Sequence, residues 1–481
     1  MQIRTVLMII AVVVGLVLWL VMAPSGSSLA GASEVPVRAS NTTATPVSQA
    51  STSSRGVSAK SINVVFPVIS LSSVTGLLDI AEDKEYGDQI KAIHLYVNQI
   101  NQAGGIHGRD INPIIVPFDP TDNTTMRALC QQWTQGTPPV FAVLDGVGTW
   151  TGDNELCVTQ EGHTPMIAAW TTVTNWTNLG SPYLWWTGAD AAPILDATVK
   201  WGLSSGRLGH GKKVGVVVSD QAADQTALNS YLLPALKKNG ITPQVFTIPA
   251  DINESASTSS GATLAVERMK AAGVQSVIPL LPGNAFEAYL AAETTQQFYP
   301  TLLLSDYQST IEFALGLIPS PYESALNGQE GVTAETLGGV DDARPESSGG
   351  YDPGVRSCFE TWHKAYPAIP KGEKSFYIEE QGPIQGWCSA IRLFADAANK
   401  AGPDLNRRTF VTAMSTITNF QGGLSPVWSF SPTKHYGPTT YQIVKIRNNV
   451  PPSKQCDLTS TGVPQGTCWV SETPFMPLPN S

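Results

Sequence analysis

The chain has 481 residues, with 29 Lys and Arg against 39 Asp and Glu, and a formal net charge of -10. Typical domains of about 100 to 200 residues make two or three domains the expectation and exclude a single small module. The acidic balance leaves no basic surface to neutralise a run of phosphates, which excludes nucleic acid as a partner. With 42% hydrophobic and only 14% charged residues, wholesale disorder is also excluded.

An apolar run follows the first few residues of the chain. Residues 6–23 contain no charged side chain, and Arg4 precedes them. This length lies between the core of a signal peptide, about 7 to 15 residues, and the roughly 20 residues that span a bilayer. Ala30 and Ala32 supply the small-x-small pattern that signal peptidase recognises. Residues 1–32 are thus either a signal peptide or a membrane anchor. Both predict an extracytoplasmic protein, secreted or anchored at the outer face of the cytoplasmic membrane.

The next segment, residues 33–60, is rich in Ser, Thr and Pro and shows no apolar periodicity. Such a composition cannot bury enough surface to offset the entropy lost on ordering, so it predicts a flexible linker.

Beyond the linker, short β-branched runs alternate with helical patterns. Strands are predicted at residues 62–68, 111–118, 140–144, 213–218, 244–248, 276–281 and 301–304, and helices at 88–103, 126–133, 223–238 and 263–272. In the first helix, Ile90, Ile93 and Val97 recur at three- and four-residue spacing, and Gly104 ends the pattern. Alternation of this kind, with near-continuous apolar strands, predicts α/β architecture with parallel sheets covered on both faces.

Six cysteines lie beyond the apolar run, at positions 130, 157, 358, 388, 456 and 468. None shows the C-x-x-C spacing of a redox or zinc site. Sequence alone leaves their pairing open, with free buried thiols as the alternative, but in an oxidising compartment an even number favours disulfides. We expect neighbours in sequence to pair: Cys130 with Cys157, Cys358 with Cys388, and Cys456 with Cys468. The last pair predicts that residues 451–481 form a disulfide-stapled tail.

One segment carries a family resemblance. Residues 98–122 read NQINQAGGIHGRDINPIIVPFDPTD, in which a helix ends in I-N-x-x-G-G-I-x-G-R before a strand and an acid-rich turn. This block resembles the type I periplasmic binding proteins of the leucine/isoleucine/valine-binding group. A later segment, FQGGLSPVWSFSPTKHYGP at residues 420–438, is similar to the final hairpin of that family.

The resemblance implies two doubly wound parallel-sheet lobes joined by three crossovers. Lobe 1 would comprise residues 61–186 and 337–417, and lobe 2 residues 187–336 and 418–450. It further implies a small polar ligand, such as an amino acid or an amide, clamped between the lobes and delivered to an ABC permease. No cofactor is expected.

Candidate ligand-binding residues lie in three loops that follow predicted strands, because open parallel sheets bind ligands at the carboxyl ends of their strands. Small residues in the first loop would let backbone N–H groups face a carboxylate of the ligand. The second loop offers threonine hydroxyls. The third loop contains an acid at the place where the family often has one for the ammonium of its ligand. The candidates are Gly148, Thr149, Trp150, Ala169, Trp170, Thr171, Thr172, Asp306 and Tyr307.

Each of these loops also has a simpler interpretation. The glycines of the first loop are spaced G-x-G-x-x-x-G, which does not fit a dinucleotide loop but does fit a tight turn. Asp306 could be an ordinary helix cap, and the tryptophans could be packing residues of the cleft wall. The sequence also departs from the family after residue 218, where Ser219 and Asp220 replace the usual acid followed by Tyr-Gly. Leucine-type specificity is therefore not implied.

No catalytic signature is present. The six histidines are scattered, and the sequence lacks the H-E-x-x-H and G-x-S-x-G motifs of metalloproteases and α/β-hydrolases. We therefore predict a binding protein with no enzyme activity and no metal site. A ligand-sensing receptor domain and a secreted hydrolase are the alternatives.

Overall fold

In the computed structural model of the protein, the described residues are 54–70, 82–119, 122–146, 148, 153–169, 171–209, 211–251, 253–309, 323–336, 353–367, 385–447 and 468–479. The strands are β1 (Ser61–Ile69), β2 (Asp110–Phe118), β3 (Ala142–Asp145), β4 (Met166–Ala168), β5 (Leu184–Trp186), β6 (Val214–Ser219), β7 (Gln244–Ile248), β8 (Ser276–Leu280), β9 (Thr301–Ser305), β10 (Glu330–Thr333), β11 (Thr440–Arg447), β12 (Cys468–Ser471) and β13 (Met476–Pro477).

Helices alternate with these strands along most of the chain. They are α1 (Glu82–Gln102), α2 (Asn123–Gln135), α3 (Asp153–Leu156), α4 (Thr174–Gly180), α5 (Ala191–Ser204), α6 (Ala222–Ala227), α7 (Leu233–Lys238), α8 (Ser255–Ala272), α9 (Gly283–Gln296), α10 (Glu323–Leu326), α11 (Pro353–Ala365), α12 (Cys388–Lys400) and α13 (Arg407–Met414). Short π-helical segments follow α3 and connect α6 to α7.

The first sheet has the strand order β2-β1-β3-β4-β5, and all of its strands are parallel. The second contains β10-β9-β8-β6-β7, which repeats the same order with parallel pairing. Antiparallel β11 and β12 extend its edge beyond β10. Each sheet is covered on both faces by buried apolar clusters. The predicted fold class, with two doubly wound lobes, is confirmed.

Residues from late in the chain return to the first sheet. Helices α11, α12 and α13 supply the first sheet's core with Trp362, Phe394 and Phe410, all fully buried. The hydroxyl of buried Tyr96 in α1 donates to the carbonyl oxygen of Cys358 at 2.9 Å, which ties α1 to α11. Lobe 1 is therefore assembled from two separated parts of the chain, and the second sheet with its helices forms lobe 2.

Two predicted boundaries differ from the structure. The predicted linker extended to residue 60, yet Gly56 packs so closely on lobe 1 that an added Cβ would lie 2.2 Å from the backbone nitrogen of Phe141. The hairpin at residues 418–438 was assigned to lobe 2, yet Trp428 and Phe430 belong to the buried core of lobe 1. The hairpin packs on lobe 1 because its apolar side chains are buried there. The family resemblance rests on the order of elements and carries no information on this packing.

The carboxyl-terminal residues also extend lobe 2. Strand β12 pairs with β11, and β13 pairs with the beginning of β11. Leu478 is buried beside Ile194 of α5. The described part of the predicted tail is thus integrated into a sheet.

The structure pairs Cys130 with Cys157 and Cys358 with Cys388, at Cα–Cα distances of 6.3 and 6.0 Å. Cys456 lies outside the described residues, and so does the side chain of Cys468. The third pairing therefore stays a prediction, as does formation of all three bonds in the exported protein.

The signal peptide or anchor of residues 1–32 also lies outside the described residues. Within the part of the chain that is described, no helix combines the length and the apolar character needed to cross a membrane.

Candidate functional site

The candidate site lies at the carboxyl ends of the strands in both lobes. In each sheet the strand order reverses at one point, between β1 and β3 in lobe 1 and between β6 and β8 in lobe 2. Loops diverge at such switch points and leave a crevice that ligands occupy in doubly wound sheets. The loops after β3 and β6 lie at these switch points, and the loops after β4 and β9 lie at the same edges of the two sheets.

The loop after β3 is shaped by a close backbone contact. A Cβ atom on Gly386 would lie 1.8 Å from the carbonyl oxygen of Gly146, so glycine is required at position 386. Gly148 has a φ of 63°, in the left-handed region that favours glycine. This geometry agrees with a tight turn held against the segment before α12. Of the other predicted residues in this loop, Thr149 and Trp150 lie outside the described residues.

The chain passes between the lobes at three crossovers: the first at residues 187–190 after β5, the second from residue 334 after β10, and the third at residues 431–439 before β11. The loop after β4 is hydrogen-bonded to the first crossover. Ala169 is buried, and its N–H donates to the carbonyl oxygen of Asp145 at 2.9 Å. The N–H of Thr172 donates to Ala189 at 3.1 Å, and the carbonyl of Thr172 accepts from Ala191 at 2.7 Å. This bridge fixes Thr172 beside the start of α5. The hydroxyl oxygen of Thr171 is buried and has no hydrogen-bond partner among the described residues, while Trp170 lies outside them.

Asp306 directly follows β9 and is 2% exposed. Its Oδ2 accepts from the N–H of Ala334 at 2.6 Å, and its own N–H donates to Val332 at 3.2 Å. Burial raises the pKa of this carboxyl to about 7, although hydrogen bonds from Thr333 and from the Ala334 N–H oppose the shift. These contacts join the end of β9 to the second crossover. Oδ1 has no partner among the described residues.

A second buried carboxyl, which sequence reasoning missed, contacts the two residues that follow Asp306. Asp224 at the start of α6 is fully buried. Its Oδ1 accepts from the hydroxyl of Tyr307 at 2.7 Å and from the side-chain amide of Gln308 at 2.6 Å. Its Oδ2 accepts from the hydroxyl of Ser219. Burial raises the pKa of Asp224, and the three hydrogen bonds oppose that shift. Asp224 therefore orients the loop after β9 from the loop after β6.

Sequence reasoning looked for an acid immediately after β6 and found Ser219 and Asp220. The acid that contacts the loop after β9 is Asp224, about one helical turn later. The hydroxyl of Ser219, at the end of β6, donates to its carboxylate. The pattern in the sequence that could have indicated Asp224 is a serine at the end of a strand, followed five residues later by an acid. Tyr307, which was predicted only as a neighbour of Asp306, is 2% exposed and is held by Asp224.

The crossovers contribute further polar groups. Asp190 begins α5, and its Oδ1 accepts from the N–H of Ala192 at 2.9 Å. The negative charge of Asp190 helps to raise the pKa values of both Tyr307 and Tyr436, after burial as the main cause. Glu335, at the second crossover, is 1% exposed. The junction of the lobes is thus a buried, acid-rich region.

Unsatisfied hydroxyls lie at the same junction. Those of Thr187 in the first crossover and Thr336 in the second are buried without a partner among the described residues. Buried polar groups are normally hydrogen-bonded, so these oxygens point to water or a ligand. Within the same part of the chain, no group of three His, Cys, Asp or Glu residues could hold a metal ion.

The first and third crossovers are joined by backbone hydrogen bonds. The N–H of Trp186 donates to His435 at 2.8 Å, and the N–H of Gly437 donates to Trp186 at 3.0 Å. The ammonium of Lys434 donates to three carbonyl oxygens and lies 4.4 Å from the ring centroid of Tyr436. Burial lowers its pKa to about 8. The first and third crossovers are therefore hydrogen-bonded to each other.

The comparisons with known proteins agree with this architecture. The profile of the family described as "Periplasmic binding protein" matches residues 84–451. None of the curated proteins matches this sequence. Among solved structures, a fatty acid ABC transporter substrate-binding protein from Thermomonospora curvata has a TM-score of 0.60 at 20% identity, covering 89% of this chain and 94% of that one.

Two further solved structures are similar to this chain. A possible leucine/isoleucine/valine-binding protein from Rhodopirellula baltica SH 1 has a TM-score of 0.60 at 14% identity, covering 86% of this chain and 97% of its own. A solute-binding protein of an ABC transporter from Rhodopseudomonas palustris BisB5, solved with 3,4-dihydroxy benzoic acid, has a TM-score of 0.58 at 15% identity, with 87% and 98% covered. At these identities the likeness concerns the fold.

Proposed function

Because the chain belongs to the periplasmic binding protein family, we propose that it is an extracytoplasmic solute-binding protein that delivers a small ligand to an ABC permease. The observation that carries this proposal is the meeting of the two lobes. Val173, in the loop after β4 of lobe 1, and Tyr307, after β9 of lobe 2, lie in one buried cluster. Loops that follow strands of both lobes thus meet in one buried cluster, and this meeting supports a ligand site between them.

In this proposal, lobe 1 binds a carboxylate of the ligand. The backbone around Gly148 and Thr149 supplies N–H donors, and the hydroxyls of Thr171 and Thr172 add to them. The hydroxyl oxygen of Thr171 is buried and lacks a partner among the described residues, so a ligand oxygen would satisfy it. The apolar walls would come from Trp150, Trp170 and Ala169.

Lobe 2 binds the opposite end of the ligand. Oδ1 of Asp306 would accept a hydrogen bond from an ammonium or amide group, since Oδ2 is already engaged by Ala334. Tyr307 would contact the ligand beside it, held in place by Asp224. A charge-assisted bond in a water-poor cleft is stronger than in bulk, so it would also favour closure of the lobes.

The three similar proteins are described with a fatty acid, with leucine/isoleucine/valine and with 3,4-dihydroxy benzoic acid. A carboxylate is common to all three classes, whereas an ammonium is present only in the amino acids. We propose a carboxylate-bearing ligand, an amino acid or a related compound, in which the group that contacts Asp306 determines specificity.

A matched ligand series tests the proposal. Leucine, leucinamide and 4-methylpentanoate share one side chain but differ in their carboxylate and ammonium groups. A ligand present at 100 times its dissociation constant stabilises the folded protein by about 2.7 kcal/mol, which thermal unfolding detects. The same series built on other side chains, including aromatic ones, extends the screen. Saturable binding that requires the carboxylate supports the proposal, and binding of uncharged analogues alone contradicts it.

Two further parts of the proposal need separate measurements. A binding protein releases its ligand unchanged, so recovery of a chemically altered ligand would instead support the hydrolase alternative. The amino terminus of the exported protein, determined by mass spectrometry, distinguishes cleavage after Ala32 from a retained anchor. Co-purification of the chain with a permease would favour transport over a sensing role.

A further inference from the structure

A groove of about 440 Å³ lies in lobe 2, at the opposite edge of the sheet from the cleft loops. Its residues precede strands, in contrast to the cleft residues, which follow them. The lining residues come from the end of α5, the turn before β6, the segment before β9 and the turn before β10: Ser205, Gly206, Arg207, Lys212, Tyr299, Pro300, Thr301, Asn327, Gly328 and Gln329. This volume falls within the range of about 300 to 1,000 Å³ typical of small-molecule sites.

The groove is positively charged. None of the ten described residues that line it is acidic, whereas Arg207 and Lys212 are basic. Arg207 is paired with Glu330, whose Oε1 is shared by Arg207 and by Lys445, the latter at 3.4 Å. One carboxylate thus faces two cations, and Lys212 adds a further positive charge. In a protein of net charge -10, this region is an exception.

Gln329 and Arg207 of the groove are held in place by hydrogen bonds. Gln329 accepts from the N–H of Leu302 at 2.8 Å, and its amide donates to Pro300 at 3.0 Å and to Ala325 at 2.9 Å. The indole N–H of Trp201 donates to Oε2 of Glu330 at 2.8 Å, which fixes the carboxylate that orients Arg207. A preorganised site loses less entropy when it binds a ligand.

The groove is open to solvent beside two glycines. Gly206 and Gly328 have φ values of 69° and 83°, and a Cβ atom added to either would meet nothing within 4 Å. Both positions therefore leave free space beside exposed backbone. Tyr299 is 48% exposed, the highest value among the exposed large apolar residues of the described chain, and lies at the groove.

We propose that this groove binds an oxyanion, a phosphate or carboxylate group carried by a small solute or by a lipid headgroup. Arg and Lys side chains are the usual partners of such groups. At physiological ionic strength the Debye length is about 8 Å, so the local excess of positive charge outweighs the distant negative charges. This binding is separate from ligand binding in the cleft, because the two sites lie at opposite edges of the sheet.

The test measures binding of inorganic phosphate to the full-length protein by isothermal titration calorimetry at constant ionic strength. Lys212→Gln should weaken binding by about fivefold, as loss of a charged contact near a surface does. Lys213→Gln is the matched control, since the ammonium of Lys213 donates to Ala272 instead of lining the groove. It should leave phosphate affinity unchanged. Arg207→Gln is a second variant, whose folding is checked by circular dichroism.

A vesicle arm separates the two sources of the anion. Co-sedimentation with phosphatidylglycerol vesicles that is lost in Lys212→Gln and absent with phosphatidylcholine supports a headgroup. Phosphate binding without vesicle binding supports a free solute. The proposal is overturned if neither probe binds, or if Lys212→Gln and Lys213→Gln behave alike in both arms. Cleft-ligand affinity should be the same in wild type and in Lys212→Gln, which keeps this result independent of the proposed transport function.

Discussion

Replacement of Asp224 is the most informative perturbation of the cleft, because one carboxylate holds three donors from two loops. In Asp224→Ala, the hydroxyls of Ser219 and Tyr307 lose their acceptor in fully buried positions, while the half-buried amide of Gln308 can turn to water. A buried donor left unsatisfied costs about 1 to 3 kcal/mol. Two such donors predict a loss of about 2 to 6 kcal/mol in the free energy of unfolding.

An opposing effect reduces this loss. The raised pKa of Asp224 means that its environment disfavours the charged form despite the three hydrogen bonds. Removal of the charge therefore recovers part of the desolvation cost, and we expect a net loss for the alanine variant of about 2 to 4 kcal/mol. Asp224→Asn also removes the charge but keeps one acceptor, and Ser219 can reverse its hydroxyl to accept from the new amide. It should cost about 1 kcal/mol or less.

Urea unfolding of both variants provides the measurement, with Glu267→Gln, at an exposed position of α8, as the control for loss of an acid in the same lobe. Ligand affinity should fall about tenfold in Asp224→Ala, because Tyr307 and Gln308 lose their orientation. The reasoning is refuted if Asp224→Ala is no less stable than Glu267→Gln. If stability falls but affinity does not, Asp224 supports the fold without positioning the ligand.

Four further predictions concern Asp306, a disulfide and the loop after β3. Asp306→Ala should weaken binding of an ammonium-bearing ligand by about 2 to 5 kcal/mol; a stability loss of about 1 kcal/mol with intact affinity would indicate a structural role only. The pKa of Asp306 is raised to about 7, so the free energy of unfolding should fall as pH rises from about 4 to 7. Asp306→Asn should reduce this dependence in pH-resolved unfolding, while the raised pKa of Asp224 leaves part of it. Peptide mapping without reduction should recover Cys130 linked to Cys157, and loss of that bond should cost roughly 3 kcal/mol. Gly386→Ala should destabilise lobe 1 by about 1 to 3 kcal/mol in thermal unfolding, because its Cβ would clash with Gly146.

The strands that sequence predicted well are those with continuous apolar runs. Gln244–Ile248 was predicted with both bounds, and Ser61–Ile69 within one residue at each end. Leu184–Trp186 was not predicted, because three residues are too few to establish a period. Thr440–Arg447 was also missed. It pairs antiparallel with β10, more than 100 residues earlier, a partner that no local pattern reveals.

The limits of the lobes depend on packing that a linear pattern cannot show. Residues 418–438 follow the family's order of elements, yet fully buried Trp428 lies within the core of lobe 1. Cβ atoms added to Gly422 or Gly437 would come within 2.7 Å of its ring. The hairpin is therefore fixed by the volume of one indole and the small residues around it, and such three-dimensional fit leaves no periodic signal in the sequence.

The candidate site was predicted better in its location than in its chemistry. Parallel topology places loops at the carboxyl ends of strands whatever their sequence, so Thr172 and Asp306 could be placed at that edge in advance. The pairing of Asp224 with Tyr307 depends instead on a contact between residues 83 positions apart. Since a carboxylate can serve either as an internal acceptor or as a ligand contact, only the contacts distinguish the two. In this protein Asp224 has all three donors within the chain, whereas Asp306 retains an oxygen without a partner among the described residues. Under the proposed function, that difference assigns ligand discrimination to Asp306, whereas Asp224 holds the neighbouring tyrosine in place.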